Sequence, residues 1–483
     1  MRQRTSEALV HEPSQCPVSC SVAALAAIGF AAVVAAATPV RAADLAGDCC
    51  ADLEERIAEL EATVARKGTR KVSVTIAGQI NQSILAWDDG FERNAYQVMN
   101  SNSTDRFRFS GNARISKDLE AGYYVEVGAR TASSSGVDQL SDDGANNVRV
   151  RHSLWYLRSE KVGTVSVGLA AAATDDVISY NLGGTNVAAS ADVTAVGGGF
   201  FTRDTSVGGH GLNNLSSGNT MSLRWRRFAP DVETPQANLV RYDSPVFQGF
   251  AVSAAWGRDD FWDVALRYAN DGKLFRIAAG IGFYEDRTED ADTFGWPPGG
   301  DAEPGLGTVI REYKGSASIL HVPTGLFVSG AYVHREFGGQ DPGTSTFACF
   351  TSPDAAAVRA AGVPCTNRPD FDYYWLNAGL RRKFIDAGWT SIYGEYARST
   401  DAVTGLNVSV ASAVGGDIDY VTSSTMQMWG FGIVQHIAAA QMDLYLSYRH
   451  MSAEVRGIES TGAAVVAPLD DMDVVLGGAR IRF

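Results

Sequence analysis

Arg106-Phe107-Arg108-Phe109-Ser110 sets two guanidinium groups at alternate positions, with an aromatic ring after each. In an extended chain successive side chains point to opposite faces, so Arg106 and Arg108 share one face while Phe107 and Phe109 take the other. The arrangement recurs. Arg130 falls on the same face as Glu126 and Tyr124, and Arg149 and Arg151 alternate with Val148 and Val150. Rows of this kind make and break no bonds; charged side chains ringing an aqueous passage decide which ions cross it.

Groupings suited to covalent or metal chemistry do not stand out. The seven His residues have no metal-ligand spacing, and no Cys-x-x-Cys occurs. Gly197-Gly198-Gly199 lacks the strand-to-helix setting of a phosphate loop and reads as loop. A hydrolase would need Ser or Asp beside His, and neither His152-Ser153 nor His436 supplies such a set. The expectation is a protein that is not an enzyme, with no cofactor and no metal.

The elements carrying these charges must alternate apolar with polar residues. The last run, Val474 to Phe483, does so: Val475, Gly477, Ala479 and Ile481 lie on one face, Leu476, Gly478, Arg480 and Arg482 on the other. One face suits lipid and the other water. A strand of this kind spans a bilayer only in a closed sheet, because an open edge would leave backbone groups unpaired in hydrocarbon. Composition agrees: Gly is 50 of 483, charged residues are 20%, and mean hydropathy is −0.08. After the N-terminal region no apolar run reaches the ~18 residues a spanning helix needs.

Arg2 and Arg4, the Ala-rich stretch from Val22 to Ala37, and Val40-Arg41-Ala42 predict a secretory signal over residues 1–42. Its removal takes away Arg2, Arg4, Arg41, Glu7 and Glu12, leaving 38 basic and 53 acidic residues and a net charge of −15. So acidic a chain does not suit nucleic acid as a partner. In an exported compartment Cys349 and Cys365 are expected to close one polar loop as a disulfide, worth about 3 kcal/mol. The adjacent Cys49 and Cys50 leave two options open, an intersubunit bridge or free thiols.

Residues 43–70 read as a periplasmic linker. Within it Leu53, Ile57, Leu60 and Val64 recur at helical spacing, which predicts a short coiled coil held by an oligomer. From Val72 the period becomes two. Segments over Val72–Leu85, Phe107–Ile115, Tyr123–Arg130, Val148–Leu157, Gly163–Ala170, Leu239–Ser244, Phe250–Gly257 and Trp262–Tyr268 are predicted strands. So are Leu274–Tyr284, Val309–Leu320, Phe327–His334, Tyr373–Phe384, Trp389–Arg398, Met426–Ile437, Met442–His450 and Val474–Phe483, sixteen in all. Connections alternate between short turns and long polar loops, as an even-stranded barrel requires. Met221–Phe228, which would break that parity, is assigned to the long connection over 171–236. Trp87, Tyr123, Trp155, Trp262, Tyr268, Trp389 and Trp429 are candidates for interfacial girdles.

With these residues in view, the chain resembles the trimeric general porins of Gram-negative outer membranes, especially the alphaproteobacterial porin family. The likeness is carried by Cys49 to Glu61 running into Arg70-Lys71-Val72-Ser73-Val74, by Arg241-Tyr242-Asp243-Ser244-Pro245-Val246-Phe247-Gln248-Gly249-Phe250, and by the terminal Phe483. The resemblance implies an all-β, sixteen-stranded transmembrane antiparallel β-barrel over 71–483, a homotrimer, a third loop (171–236) folded into the pore, and passive diffusion of small hydrophilic solutes. It implies outer-membrane lipid, lipopolysaccharide and the barrel-assembly machinery as partners, Phe483 being the residue that machinery reads. It also implies that the basic wall of Arg106, Arg108, Arg130, Arg149 and Arg151 faces acidic third-loop residues, the candidates being Asp175, Asp176, Asp192 and Asp204. Arg203, Arg224, Arg226 and Arg227 lie in the same loop, so cation or anion preference stays open. A substrate-specific porin for sugars or anions, and an adhesive surface barrel, are the alternatives.

Overall fold

The computed structural model describes residues 72–483 apart from 145–146, 206–210, 215–221, 230–231, 235, 258–260, 288–308, 339–368, 407, 411–416 and 460. The expected signal segment, the coiled coil and all six cysteines lie outside the described residues.

Sixteen antiparallel strands form the wall: β1 (Thr75–Asp88), β2 (Arg106–Arg114), β3 (Leu119–Arg130), β4 (Asn147–Ser159), β5 (Gly163–Ala170), β6 (Ala237–Asp243), β7 (Phe250–Gly257) and β8 (Phe261–Asp271). They continue as β9 (Phe275–Asp286), β10 (Val309–His321), β11 (Leu326–Gly338), β12 (Phe371–Ile385), β13 (Gly388–Thr400), β14 (Tyr420–Ile437), β15 (Met442–Ile458) and β16 (Met472–Arg482). Each pairs with its neighbour in the chain. The sheet closes where β1 meets β16, from Gln79 opposite Arg482 to Asp88 opposite Asp473. Closure satisfies every edge, which is what permits a sheet to stand in hydrocarbon. Two side strands extend it, Arg93–Met99 on the loop end of β1 and Ala464–Ala467 on β15.

Alternation decides the two faces. On β1, Ile76, Ile80 and Ile84 are exposed while Gln79, Asn81, Ser83 and Leu85 are buried. On β10, Tyr313 and Ile319 face out while Glu312, Lys314, Ser316 and Ser318 face in. The outer face is therefore apolar and the inner face polar. No helix among the described residues is long and apolar enough to cross a membrane; strands do the crossing. The described part of the run over 221–228 contributes no wall strand: Trp225–Phe228 is a single helical turn within the long connection.

One girdle expectation is corrected. Trp155, Trp262, Trp389 and Trp429 are exposed, but Trp87 is 2% exposed and packs on Tyr96 and Phe200 at ring separations of 5.9 and 5.0 Å. Its place at an odd position of β1 puts it on the inner face with Leu85, under the third loop. That loop supplies much of the apolar core: Ile178, Val187, Val193 and Val196 are buried in one cluster with Tyr373, Trp375, Met426, Met428 and Met451 of the wall. Each such side chain removed from water contributes roughly 1.5–3 kcal/mol.

Candidate functional site

Arg106 and Arg108 on β2 stand opposite Gly128 and Glu126 on β3, so both guanidinium groups reach the Glu126 carboxylate. Arg108 donates from Nε to Oε2 at 2.6 Å, and an Nη of Arg106 lies 3.5 Å from Oε1. Arg151 on β4 adds a third, donating from Nε to Oε1 at 2.7 Å. A bulge makes this possible. Glu126 pairs with His152 and Val127 with Val150, so Arg151 is the extra residue that breaks the register beside Glu126. Tyr124 completes the group, its hydroxyl donating to Oε2 at 2.9 Å.

The Glu126 side chain is 1% exposed, and a buried carboxylate is tolerated only where it is paired and hydrogen-bonded. One carboxylate cannot neutralise three guanidinium groups, so the cluster keeps an excess of positive charge. Because both close bonds use Nε, the terminal Nη groups of Arg108 and Arg151 stay available to the lumen, and Arg108 keeps 42% of its side chain exposed. Arg149 is an exposed residue opposite Gly128, next to the cluster. The Arg130 backbone pairs with Asn147 at the loop end of β3.

The long connection is fastened to the inner face of one strand after another. At its start Arg241 of β6 donates to the carbonyls of Ala171 and Ala172, and Arg267 of β8 to those of Ala173 and Asp175. Asp263 of β8 accepts from the backbone and hydroxyl of Thr174. Further along, Ser316 of β10 donates to Val177, Arg381 of β12 to Leu182 and Ser391 of β13 to Gly183. At the far side Arg449 of β15 holds Ala188 and Val193, and the Tyr373 hydroxyl holds Ala191. Lys314 of β10 secures the return, donating to Val232 and Thr234. Hydrogen bonds from charged donors to carbonyls in such surroundings are the stronger kind.

This path gathers three carboxylates. Oxygens of Asp175, Asp176 and Glu233 lie within 4.8 Å of one another. Glu233 accepts from the Asp176 backbone at 3.0 Å and from the Ser179 hydroxyl. Asp176 holds a left-handed backbone (φ 61°), which turns the chain so that the three acids converge. Burial and the neighbouring Asp176 charge push Asp175 up to about 7. Burial and the two aspartates raise Glu233 well above the usual carboxylate range. Lys314, Arg241 and Arg151 pull Asp175 the other way, so the arginine wall and the acid corner lie within each other's field.

Asp192 and Asp204 are placed differently. Asp192 precedes the single turn Val193–Ala195 and accepts from the Thr194 hydroxyl at 2.9 Å, and burial raises it above its usual range. Asp204 is fully buried in a two-residue strand paired with Gly211–Leu212, so it shows no carboxylate to water. The loop arginines are also engaged: Arg203 with Asp89 and Glu92, Arg224 with Asp138. Phe483 exchanges backbone hydrogen bonds with Gly78 at 2.8 and 3.1 Å, and its ring lies 5.8 Å from that of Phe107. Cys349 and Cys365 fall outside the described residues.

The alternation of β2 to β4 pointed to the arginines but not to Glu126 as their common partner, since the bulge at Arg151 has no mark in the sequence. Glu233 lies 57 residues from Asp176, and only the return of the loop joins them. Arg241, Arg267, Lys314, Arg381 and Arg449 each occupy an inward position of a strand, so alternation could have named them as lumen cations. That they hold loop carbonyls could not be read there.

A sequence model of the Gram-negative porin family matches residues 22–456. Among solved structures, the anion-selective porin from Comamonas acidovorans aligns with 86% of this chain and 100% of its own, at 16% identity and a TM-score of 0.51. The high-pH structure of OprB from Pseudomonas putida aligns with 89% of this chain and 97% of its own, at 11% identity and a TM-score of 0.50. At such identities the likeness is one of fold. No curated protein matches the chain.

Proposed function

The chain belongs to the Gram-negative porin family, an outer-membrane channel for passive diffusion, and from that premise we propose that its lumen prefers small anions. The carrying observation is the ratio of charges at Glu126: three guanidinium groups share one carboxylate, and two of them keep their Nη groups free. Across from them Asp175 and Glu233, crowded against Asp176, are raised enough to retain protons, which weakens the opposing negative wall. A permeating anion is drawn to the Arg106–Arg108–Arg151 side, with Arg149 extending that side toward the loops. Asp192 and Asp204 act in holding the loop and not in meeting the solute.

The test is the reversal potential of the reconstituted channel under a salt gradient. An anion-preferring potential that moves toward the cation side in Arg108→Ala supports the assignment. A value unchanged by Arg108→Ala and by Arg151→Ala together would remove the arginine wall from selectivity.

We further propose a homotrimer of the alphaproteobacterial type. In its support, β2 and β5 are short strands of 9 and 8 residues, and the outer face of β2 and β4 carries Phe107, Phe109, Val148, Val150, Trp155 and Leu157, all exposed in the single chain. Export by the 1–42 signal, a coiled coil within 43–70, a Cys349–Cys365 disulfide, assembly through Phe483 and contact with lipopolysaccharide belong to the same reading. Mass measurement of the detergent-extracted protein before and after heating tests the trimer.

A further inference from the structure

On the outer face of β11 the side chains run Leu326, Val328, Gly330, Tyr332, His334; on β15 they run Met442, Leu444, Leu446, Tyr448, His450. Both strands begin at a short turn, and in both the His stands eight residues beyond the first strand residue, one outward position past a Tyr. The two histidines therefore sit at the same height, at the loop-side edge of the apolar band. Their surroundings also match. His334 pairs across the sheet with Tyr313 and Asp372, His450 with Trp429 and Asp473.

The hydrogen bonding repeats atom for atom. Nδ1 of His334 is 2.9 Å from Oδ1 of Asp372, which also accepts from the Tyr332 hydroxyl at 2.6 Å. Nδ1 of His450 is 2.8 Å from Oδ1 of Asp473, which accepts from the Tyr448 hydroxyl at 2.6 Å. A carboxylate on Nδ1 fixes the tautomer and leaves the Nε2 lone pair pointing outward, the arrangement that orients a metal-binding imidazole. Each Nε2 faces a second carboxylate: Glu336 at 3.8 Å for His334 and Asp471 at 3.6 Å for His450. Tetrahedral zinc, with His and carboxylate donors at about 2.0–2.2 Å, holds neighbouring donors about 3.4 Å apart. A small side-chain rotation closes the difference.

We propose that the outer rim carries two equivalent sites for a first-row divalent cation such as Zn2+, each made by a His Nε2 and a carboxylate, His334 with Glu336 and His450 with Asp471. Asp372 and Asp473 orient the imidazoles. The remaining coordination positions open to water on the exposed side. Imidazole with carboxylate suits zinc, copper or nickel better than magnesium or calcium. Protons compete for Nε2, so binding weakens in acid.

Zn2+ titration of the purified, folded protein by calorimetry at neutral pH tests this, with single-channel conductance recorded on each variant as an independent check of fold and pore. The expected stoichiometry is two ions per chain, falling to one in His334→Gln and to none in His334→Gln/His450→Gln, with conductance unaltered. Asp372→Asn, which leaves both donors of its site in place, should weaken that site by about 10–100-fold. No saturable Zn2+ uptake, or a stoichiometry unchanged in the double variant, would overturn the proposal. In the second case the acid corner at Asp175 would be the ligand.

Discussion

Arg449 and Glu395 form an ion pair across β15 and β13 that almost no water reaches: Nε lies 2.9 Å from Oε1, and the two side chains are 1% and 0% exposed. Arg449 spends its other donors on the loop carbonyls of Val193 at 2.8 Å and Ala188 at 3.3 Å, while Trp375 donates to Glu395 at 3.1 Å. The pair thus ties the tip of the third loop to the far wall. Loop carbonyls on either side are held by Asn100, Tyr373 and Ser134.

Arg449→Met should free this tip. Removing one partner of a buried pair leaves the other charge uncompensated, at a cost of about 3–5 kcal/mol. The closed sheet is expected to persist, because its ladders do not depend on Arg449. Single-channel records should become noisier and show a larger mean conductance, and Arg449→Met/Glu395→Leu should recover stability but not the quiet trace.

Glu126→Gln should raise anion preference. It withdraws the one carboxylate from the Arg106, Arg108 and Arg151 cluster and so leaves three cations facing one another. Reversal potential should shift opposite to that of Arg108→Ala, and thermal stability should fall by about 1–3 kcal/mol for the lost charge-assisted bonds.

Selectivity should also depend on pH through Asp175. Its folded value, about 7, lies above the ordinary value of a free aspartate near 3.9. A raised group gives its stabilising contribution in full below the unfolded value and loses it as pH rises through the folded one. Stability therefore declines between about pH 4 and pH 7, while the folded corner gains its negative charge, and anion preference weakens, as pH rises through about 7. Reversal potentials measured across this range should show that slope in the natural protein and a flatter one in Asp175→Asn.

Gly78→Val should disturb assembly in the same way as loss of Phe483. A Cβ on Gly78 would lie 2.7 Å from both the Phe483 ring and the Arg106 carbonyl. Either change should reduce the yield of inserted protein while the conductance of pores that do insert stays near normal. Heat-modifiable mobility on gels measures the first and bilayer recording the second. Normal yield in both variants would remove Phe483 from assembly.

The period-two pattern in Val72–Phe483 was enough to place all sixteen wall strands, because a strand between lipid and water must alternate and nothing else in the chain competes with that demand. Trp87 departs from the girdle predicted for it. It obeys the alternation, but its face is buried under a loop whose path no local rule describes. Asp204 reads as an acidic loop residue like Asp175, yet the fold buries one and leaves the other half-open.

By itself the sequence determined a closed, even-numbered membrane sheet and the strands that bear inward arginines, since both follow from side-chain periodicity along the backbone. Tertiary structure alone decided which carboxylates meet those arginines. Glu126 became their shared partner through a one-residue bulge at Arg151, and Glu233 joined Asp175 and Asp176 through the return of a long loop. Such contacts depend on register and on chain reversal over tens of residues, and spacing along the chain holds no record of either.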